Sequence, residues 1–396
     1  MTRRNIASSV LGAAAAAAIG FATTTASAQE VKFGMFTPLT GTSSVVGLDM
    51  LRGVQMAIDA VNAGVAVPMT DGTTMQLGPG VLGGQINLIV EDAESRPQGA
   101  MDAVRKLVTV DQVAVVLGEY SSGRTLPTGQ FTTENGVPHI SIGANSPLLR
   151  DVGTGGYFFN AIGLAGLQGY ALVDMAVAEL EAGTIATLFP NNAWGVGVEA
   201  ATCEAATAAG IPCTAVRYEE QKTDYRAELR QVMASSPDTV IFFAYGADAI
   251  LILRQAFELG IDVAGTWLAA EMSNWTADVA PTPEIGEGIR GIEHAVAGEL
   301  YETAYHAPYV AAFGEEPLTV FGAFGYDAAM IAALAVELAG TTDHDAVRDA
   351  IRVVAETYQG VTGNLAFDED GMRLVQAYGT FIYQSGVMTP YTPMMP

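Results

Sequence analysis

Several groups of residues in this chain have types and spacings that invite chemistry. Gly118-Glu-Tyr-Ser-Ser-Gly123 sets two serines between glycines. A nucleophile elbow needs Gly-x-Ser-x-Gly on a strand-to-helix turn. This spacing differs, and no histidine is placed to activate Ser121 or Ser122. Gly195-Val-Gly-Val-Glu-Ala200, with Glu219 and Glu220 about twenty residues on, has the outline of a dinucleotide fingerprint. There the first glycine should follow a strand at once, yet Pro190-Asn-Asn-Ala-Trp194 intervenes after Phe189, which predicts a loop too long to hold pyrophosphate. Asp368-Glu-Asp-Gly371 is acidic but matches no EF-hand loop and reads as a solvated hairpin turn. The four histidines, His139, His294, His306 and His344, stand at no ligand-like spacing to Cys203 and Cys213, so no metal site is expected. No phosphate-cradling Gly-x-x-x-x-Gly-Lys occurs. The expectation is a protein without catalytic residues, cofactor or metal, with an exported NAD-dependent oxidoreductase as the alternative among enzymes.

Composition narrows the rest. The 396 residues exceed one small core, and a prior of ~150 residues per domain suggests two or three. A hydrophobic content of 50% excludes intrinsic disorder. With 43 acidic against 18 basic side chains the formal charge is −25, and the lysines are only Lys32, Lys106 and Lys222. Phosphate binding rests on clustered Lys and Arg, so neither nucleic acid nor an anionic membrane surface is an expected partner.

Residues 1–28 read as an export signal. Arg3 and Arg4 form the positive segment, 6–21 is an alanine-rich apolar run, and Ala26-Ser-Ala28 supplies the cleavage pattern. Twin-arginine export stays open beside the general route. No cysteine follows the cleavage site, and the longest later apolar stretch, 318–340, is interrupted by Asp327 and Glu337, so no stable membrane insertion is expected. The location implied is the periplasm. In an oxidising compartment Cys203 and Cys213, which bracket Gly210 and Pro212, form either a small disulfide-closed loop or two inert thiols.

The elements that must position these residues alternate. Strands are expected at 31–36, 85–90, 113–117 and 138–142, with helices at 47–62, 98–108 and 126–135 between them. A second series has strands at 184–189, 213–218, 239–243 and 266–269, with helices at 197–209, 225–234 and 249–259. Short apolar strands separated by helices indicate parallel sheets built from βαβ units. The fold class is therefore α/β, with two similar doubly wound lobes joined by a hinge. Residues 300–356 read as mostly helical and the tail from 360 as hairpin strands. The expected division is 29–150 with 300–362 for the first lobe, and 151–299 with 363–396 for the second.

The loops at the carboxyl ends of these strands carry a resemblance. Thr37-Pro-Leu-Thr-Gly41, Gly47 with Arg52-Gly53, Glu91-Asp92, Leu117-Gly-Glu-Tyr-Ser-Ser122, Ile140-Ser-Ile-Gly-Ala-Asn-Ser-Pro147, Leu253-Arg-Gln-Ala256 and Gly360-Val-Thr-Gly-Asn-Leu-Ala-Phe-Asp368 follow in order along the chain. In these the sequence resembles the leucine/isoleucine/valine-binding family of periplasmic substrate-binding proteins, the receptors of ABC transporters, with the type I periplasmic fold.

The resemblance implies ligand roles, residue by residue. Ser122 matches the serine that receives a ligand α-carboxylate, and an exposed helix start there suits an anion. Gly143 and Asn145 fall where the family offers a backbone carbonyl to the ammonium and a hydroxyl-bearing residue to both groups. Asn145 departs from the usual threonine or serine. Trp194 and Tyr245 match aromatic residues of the second lobe, with Trp194 expected to close over the ligand at a loop mouth rather than in the core. Glu271 matches the acidic residue that pairs with the ammonium. Val46 stands at the first-lobe rim and Tyr120, beside Ser121, fills space near it; these set side-chain selectivity. The implied function is capture of a small amino acid, branched-chain by first choice, and delivery to a membrane permease. An amide, urea, or an organic or aromatic acid is the alternative ligand.

Overall fold

The computed structural model describes residues 30–392. The expected export signal lies outside the described residues. In chain order the first part comprises β1 (Val31–Thr37), α1 (Ser44–Ala63), β2 (Val65–Pro68), β3 (Thr74–Leu77), β4 (Ile86–Asp92), α2 (Pro97–Lys106), β5 (Val115–Leu117), α3 (Ser122–Glu134), β6 (His139–Ser141), α4 (Arg150–Gly153) and β7 (Phe158–Asn160). Next come α5 (Gly166–Leu180), β8 (Ile185–Pro190), α6 (Ala193–Ala208), β9 (Cys213–Tyr218), α7 (Arg226–Ala234), β10 (Thr239–Phe242), α8 (Gly246–Glu258), β11 (Trp267–Ala270), α9 (Thr276–Val279) and β12 (Arg290–His294). The last part holds α10 (Glu299–Tyr301), α11 (Ala307–Phe313), α12 (Phe321–Ala339), α13 (His344–Thr357), β13 (Gln359–Gly360), β14 (Gly363–Asn364), β15 (Tyr378–Gln384) and β16 (Val387–Pro390).

Two sheets result. The first is β4-β1-β5-β6-β7, parallel throughout. The second runs β9-β8-β10-β11-β12 in parallel, and the antiparallel pair β15-β16 extends it beyond β12. Counted by order along the chain, the parallel strands of both sheets follow the same doubly wound arrangement, second-first-third-fourth-fifth. Each sheet therefore has a point where strand order reverses, beside β1 and β5 in one and beside β8 and β10 in the other.

Strands buried on both faces read as near-continuous apolar runs, and β5, β8, β10 and β11 are buried at every residue, with Thr187 and Thr239 their only polar members. Helix α12 lies against α1, where Gly53 and Gly322 bring the two backbones together; a Cβ on Gly53 would stand 1.8 Å from the Gly322 carbonyl oxygen. At 19 residues, α12 is long and apolar enough to cross a membrane, which the sequence reading did not expect, but it is buried within the first lobe from Phe321 to Val336. Its Asp327 accepts from Tyr358 Oη, Thr362 Oγ1 and the amides of Val361 and Thr362 at 2.6–2.9 Å, tying the helix to the segment after α13. Asp49 of α1 does the same for the segment before α12, accepting from Tyr309 Oη, Thr319 Oγ1 and the amides of Leu318, Thr319 and Gly322.

The structure moves several expected boundaries. Strand β7 belongs to the first sheet, so the chain leaves that sheet after Asn160 and not at 150/151. Residues 363–373 also stay with the first lobe, since β14 pairs β13 in a small separate sheet and Met372 bridges to Asn160 of β7; the last crossing follows Arg373. Helices α3 and α6 begin four residues earlier than expected, at Ser122 and Ala193. For α6 the cause is Asn192, whose side chain caps the helix by accepting from the Gly195 amide. The loop after β8 is thus two residues, and Gly195 sits inside the helix. A Cβ there would meet the Pro190 carbonyl oxygen at 1.9 Å, so the glycine serves close packing. Helix α5, strand β12 and the β2–β3 hairpin were not anticipated. Cys203 and Cys213 are bonded to each other, joining α6 to the start of β9.

Candidate functional site

Every site residue inferred from the sequence lies in a segment that follows the carboxyl end of a parallel strand. Val46 follows β1, Tyr120–Ser122 follow β5, and Gly143 and Asn145 follow β6. From the other lobe, Trp194 follows β8, Tyr245 follows β10 and Glu271 follows β11. In open parallel sheets these ends form the ligand crevice. The structure brings the two groups face to face.

Ser121 precedes α3 and its hydroxyl stands 3.3 Å from Tyr245 Oη of the opposite lobe. Ser122 opens the helix. Its Oγ accepts from the amides of Asn145 at 3.2 Å and Ser146 at 3.0 Å. A hydroxyl has two acceptor lone pairs and one proton, so with both lone pairs engaged Ser122 retains its proton to donate. Asn145 Nδ2 reaches across to Glu271 Oε1 at 2.5 Å, a direct side-chain bond between lobes. Gly143 allows a tight approach: a Cβ would lie 3.1 Å from both Tyr120 and Phe321 ring atoms.

Glu271 is 2% exposed and heads a short turn with φ +52°. Its Oε2 accepts from Asn274 Nδ2 at 3.3 Å, and His294 Nε2 stands 3.7 Å from Oε1. No lysine or arginine among the described residues forms an ion pair with it. A carboxylate withdrawn from water calls for a cation or a full set of donors. Glu293 beside it is also buried, which pushes its carboxyl above the usual range, and it is held by the amides of Ser273 and His294.

Aromatic rings form the walls. Tyr120 meets Tyr245 and Phe321 edge-on at 5.5 and 5.2 Å. Trp194 corrects an expectation. It is not a loop-mouth ring but lies in the first turn of α6, 2% exposed, packed on Tyr245 at 4.9 Å and Phe243 at 5.5 Å. It supports Tyr245 from behind, because the short capped turn draws it inward. Val46 is likewise buried on α1, at the wall of a cavity of about 110 Å³ that Tyr120, Tyr245, Ser273 and Asn274 also line.

The model for a family described as periplasmic binding protein matches residues 30–386. This chain belongs to that family. The leucine-, isoleucine-, valine-, threonine-, and alanine-binding protein of Pseudomonas aeruginosa is 28% identical over 367 residues, covering 90% of this chain and 91% of that one. A Leu/Ile/Val-binding protein homolog of Brucella abortus is 24% identical, covering 91% and 92%. Among solved structures, a leucine binding protein from Thermotoga maritima superposes with TM-score 0.80 at 24% identity over 92% of this chain and 99% of its own. A solute binding protein from R. palustris, in complex with benzoate, does so with TM-score 0.77 at 18% identity over 93% and 97%. These structures share the two-lobed fold of this binding protein, whose family and neighbours bind solutes.

Sequence reasoning missed four contributors. His294 ends β12 and touches Glu271 and, at 3.4 Å, Gln168 Nε2 of α5. It had been weighed only for metal spacing. Phe321 of α12 completes the Tyr120 wall, and Ser273 and Asn274 follow Glu271 in the same turn. The alternating series pointed to strand ends, and Ser273 and Asn274 could have been found there by reading on past Glu271. His294 and Phe321 had no signal short of the tertiary structure.

Proposed function

We propose that the chain is the exported receptor of an ABC importer, which holds a small α-amino acid between its lobes and presents the closed form to a membrane permease. The observation that supports this most is the buried Glu271 carboxylate, which meets two amides and one histidine and is bonded across the lobes to Asn145, whose own backbone amide donates to Ser122 Oγ. A zwitterion supplies what each side lacks: an ammonium for Glu271 and a carboxylate for the Ser122 hydroxyl and the helix start. Gly143 would offer its carbonyl to the ammonium and Asn145 would touch both groups. Tyr245 and Tyr120 would enclose the ligand, with Trp194 bracing Tyr245.

Closure follows from differential affinity, since a ligand with partners on both lobes favours the state in which the lobes meet. The name of the Pseudomonas aeruginosa relative spans aliphatic amino acids, threonine and alanine, and that range is the ligand class proposed here. The periplasm is the proposed location; the bonded Cys203–Cys213 pair suits an oxidising compartment. Isothermal titration of the purified chain with a panel of L-amino acids, small amides, urea and aromatic acids tests the reading. Saturable binding of amino acids is expected. Binding confined to the non-amino-acid solutes would defeat it.

A further inference from the structure

Of the hydrogen bonds that join the lobes, two lie where the ligand is proposed to sit: Ser121 with Tyr245 and Asn145 with Glu271. Another does not. Ser146 follows β6 in the first lobe and is buried, and its Oγ donates at 2.6 Å to the Ala193 carbonyl of α6 in the second. Pro147 beside it enters a notch that two glycines leave in that lobe. A Cβ on Gly197 of α6 would stand 2.8 Å from Ser146 Oγ and 3.0 Å from Pro147 Cδ, and one on Gly166 of α5 would stand 3.4 Å from Pro147 Cγ. The turn is anchored in turn by its own backbone: the Ser146 amide donates to Ser122 Oγ at 3.0 Å, and the Asn145 carbonyl accepts from the Ala165 amide at 2.7 Å. Gln221 also reaches Thr42 across the lobes, but at 3.4 Å and exposed to water.

A ligand entering the cleft must displace or share the bonds of Ser121, Tyr245, Asn145 and Glu271, because it needs the same atoms. The seat of Ser146 and Pro147 on α6 uses none of those side chains, so it forms whether the cleft is empty or full. Any contact made only in the closed state shifts an open–closed equilibrium, and the apparent affinity for a ligand that needs the closed state scales with that state's share. Gly197 is hard to explain within its own lobe. Glycine inside a helix costs about 1 kcal/mol against alanine, and the room it leaves is taken by the other lobe. Resting on the reading that a ligand is held between the lobes, we propose that Ser146 and Pro147 are positioning residues: seated on Gly197, they hold part of the ligand-free population closed and so scale the affinity for different ligands by one common factor.

Two variants test it. Gly197→Ala puts a methyl group into the seat, and Ser146→Ala removes the bond to Ala193 while keeping the amide that serves Ser122. Small-angle scattering of the ligand-free chain should give a larger radius of gyration for Gly197→Ala than for the native protein. Calorimetry with L-leucine, L-threonine and L-alanine should show all three weakened by the same factor in each variant. That factor should be about tenfold in Gly197→Ala, the scale of mild overpacking, and about fivefold in Ser146→Ala, the scale of one hydrogen bond. A merely structural defect would lower the melting temperature, whereas ligand-free Gly197→Ala should melt at or above the native temperature, since alanine is the better helix former. A radius of gyration unchanged by Gly197→Ala would overturn the proposal. So would losses that differ severalfold among the three amino acids, which would place the turn in the cleft itself. If none of the three binds the native chain and the radius still grows, the amino-acid reading falls and the closing seat stands.

Discussion

Glu119 and Glu271 are both buried glutamates just past the carboxyl end of a parallel strand, one in each lobe, and their surroundings are opposite. Glu119 is complete within its own lobe. Its Oε1 accepts from Arg124 Nε at 2.6 Å and its Oε2 from the Ser121 amide at 2.8 Å, while Arg124 also donates to the Ser95 carbonyl. Burial pushes the Glu119 carboxyl above its ordinary value, and the Arg124 charge works against that. Glu271 has no such cation and finds its nearest donor in the other lobe. The first pattern fixes a loop; the second leaves a charge to be answered by something that enters.

If that contrast is right, the two glutamates should fail in different assays. Arg124→Met strips Glu119 of its counter-charge and should cost about 3–5 kcal/mol of unfolding free energy, read by urea denaturation. A loss below about 1 kcal/mol, the scale of an exposed pair, would mean that the ion pair does not hold the loop. Glu271→Gln keeps the size and the Asn274 contact. It should weaken an amino-acid ligand by about 2–5 kcal/mol in calorimetry, with unfolding free energy unchanged or higher because a neutral amide is cheaper to bury. A Glu271→Gln chain destabilised as much as Arg124→Met would erase the distinction.

His139 sharpens the same comparison by pH. It sits under the Glu119 loop, Nε2 against the Gly118 carbonyl and Nδ1 against Thr132 Oγ1, and burial lowers its pKa from 6.5 to about 4. Between those values the unfolded chain binds a proton that the folded chain refuses. Stability is therefore full above pH 6.5 and falls as the pH drops toward 4, by about 3 kcal/mol from this group. His139→Asn should flatten that part of the stability profile relative to the native chain. Its ligand affinity at neutral pH should stay as it was, since His139 serves the wall and not the cleft. Parallel profiles for the two chains would contradict the assignment.

Much of this was legible because parallel strands buried on both faces leave short apolar runs, and the chain order of those runs gave the lobes. The resemblance to the leucine/isoleucine/valine-binding family then implied Ser122, Asn145, Tyr245 and Glu271 among the residues at those strand ends. What failed has physical causes. Strand β12, Arg290-Gly-Ile-Glu-His294, is too polar to read as buried strand, because Glu293 and His294 are held by tertiary partners that a local pattern cannot show. The start of α6 was misjudged because one side-chain cap on Gly195 outweighs two glycines with poor helix propensity. The cavity wall was read only at Val46 and Tyr120. Ser273 and Asn274 share a turn with Glu271, but only the tertiary structure brings them to one cavity wall with Tyr120.

The smallest expected effect concerns Ser122, where side chain and backbone compete for the same role. Ser122→Ala removes the only proton the hydroxyl has left to give, and also the acceptor for the Asn145 and Ser146 amides. The start of α3 would remain, so part of the attraction for an anion survives. A loss of about 1–2 kcal/mol in ligand affinity is expected, less than for Glu271→Gln. The decisive readout is the ligand's own charge. Against an amino acid the variant should lose more than against the corresponding amino-acid amide, because a hydroxyl donating to a carboxylate is worth more than one donating to a neutral carbonyl. Equal losses for acid and amide would show that Ser122 acts only by holding the loop of Asn145, which would move the carboxylate away from α3 and leave Glu271 as the sole charged contact of the cleft.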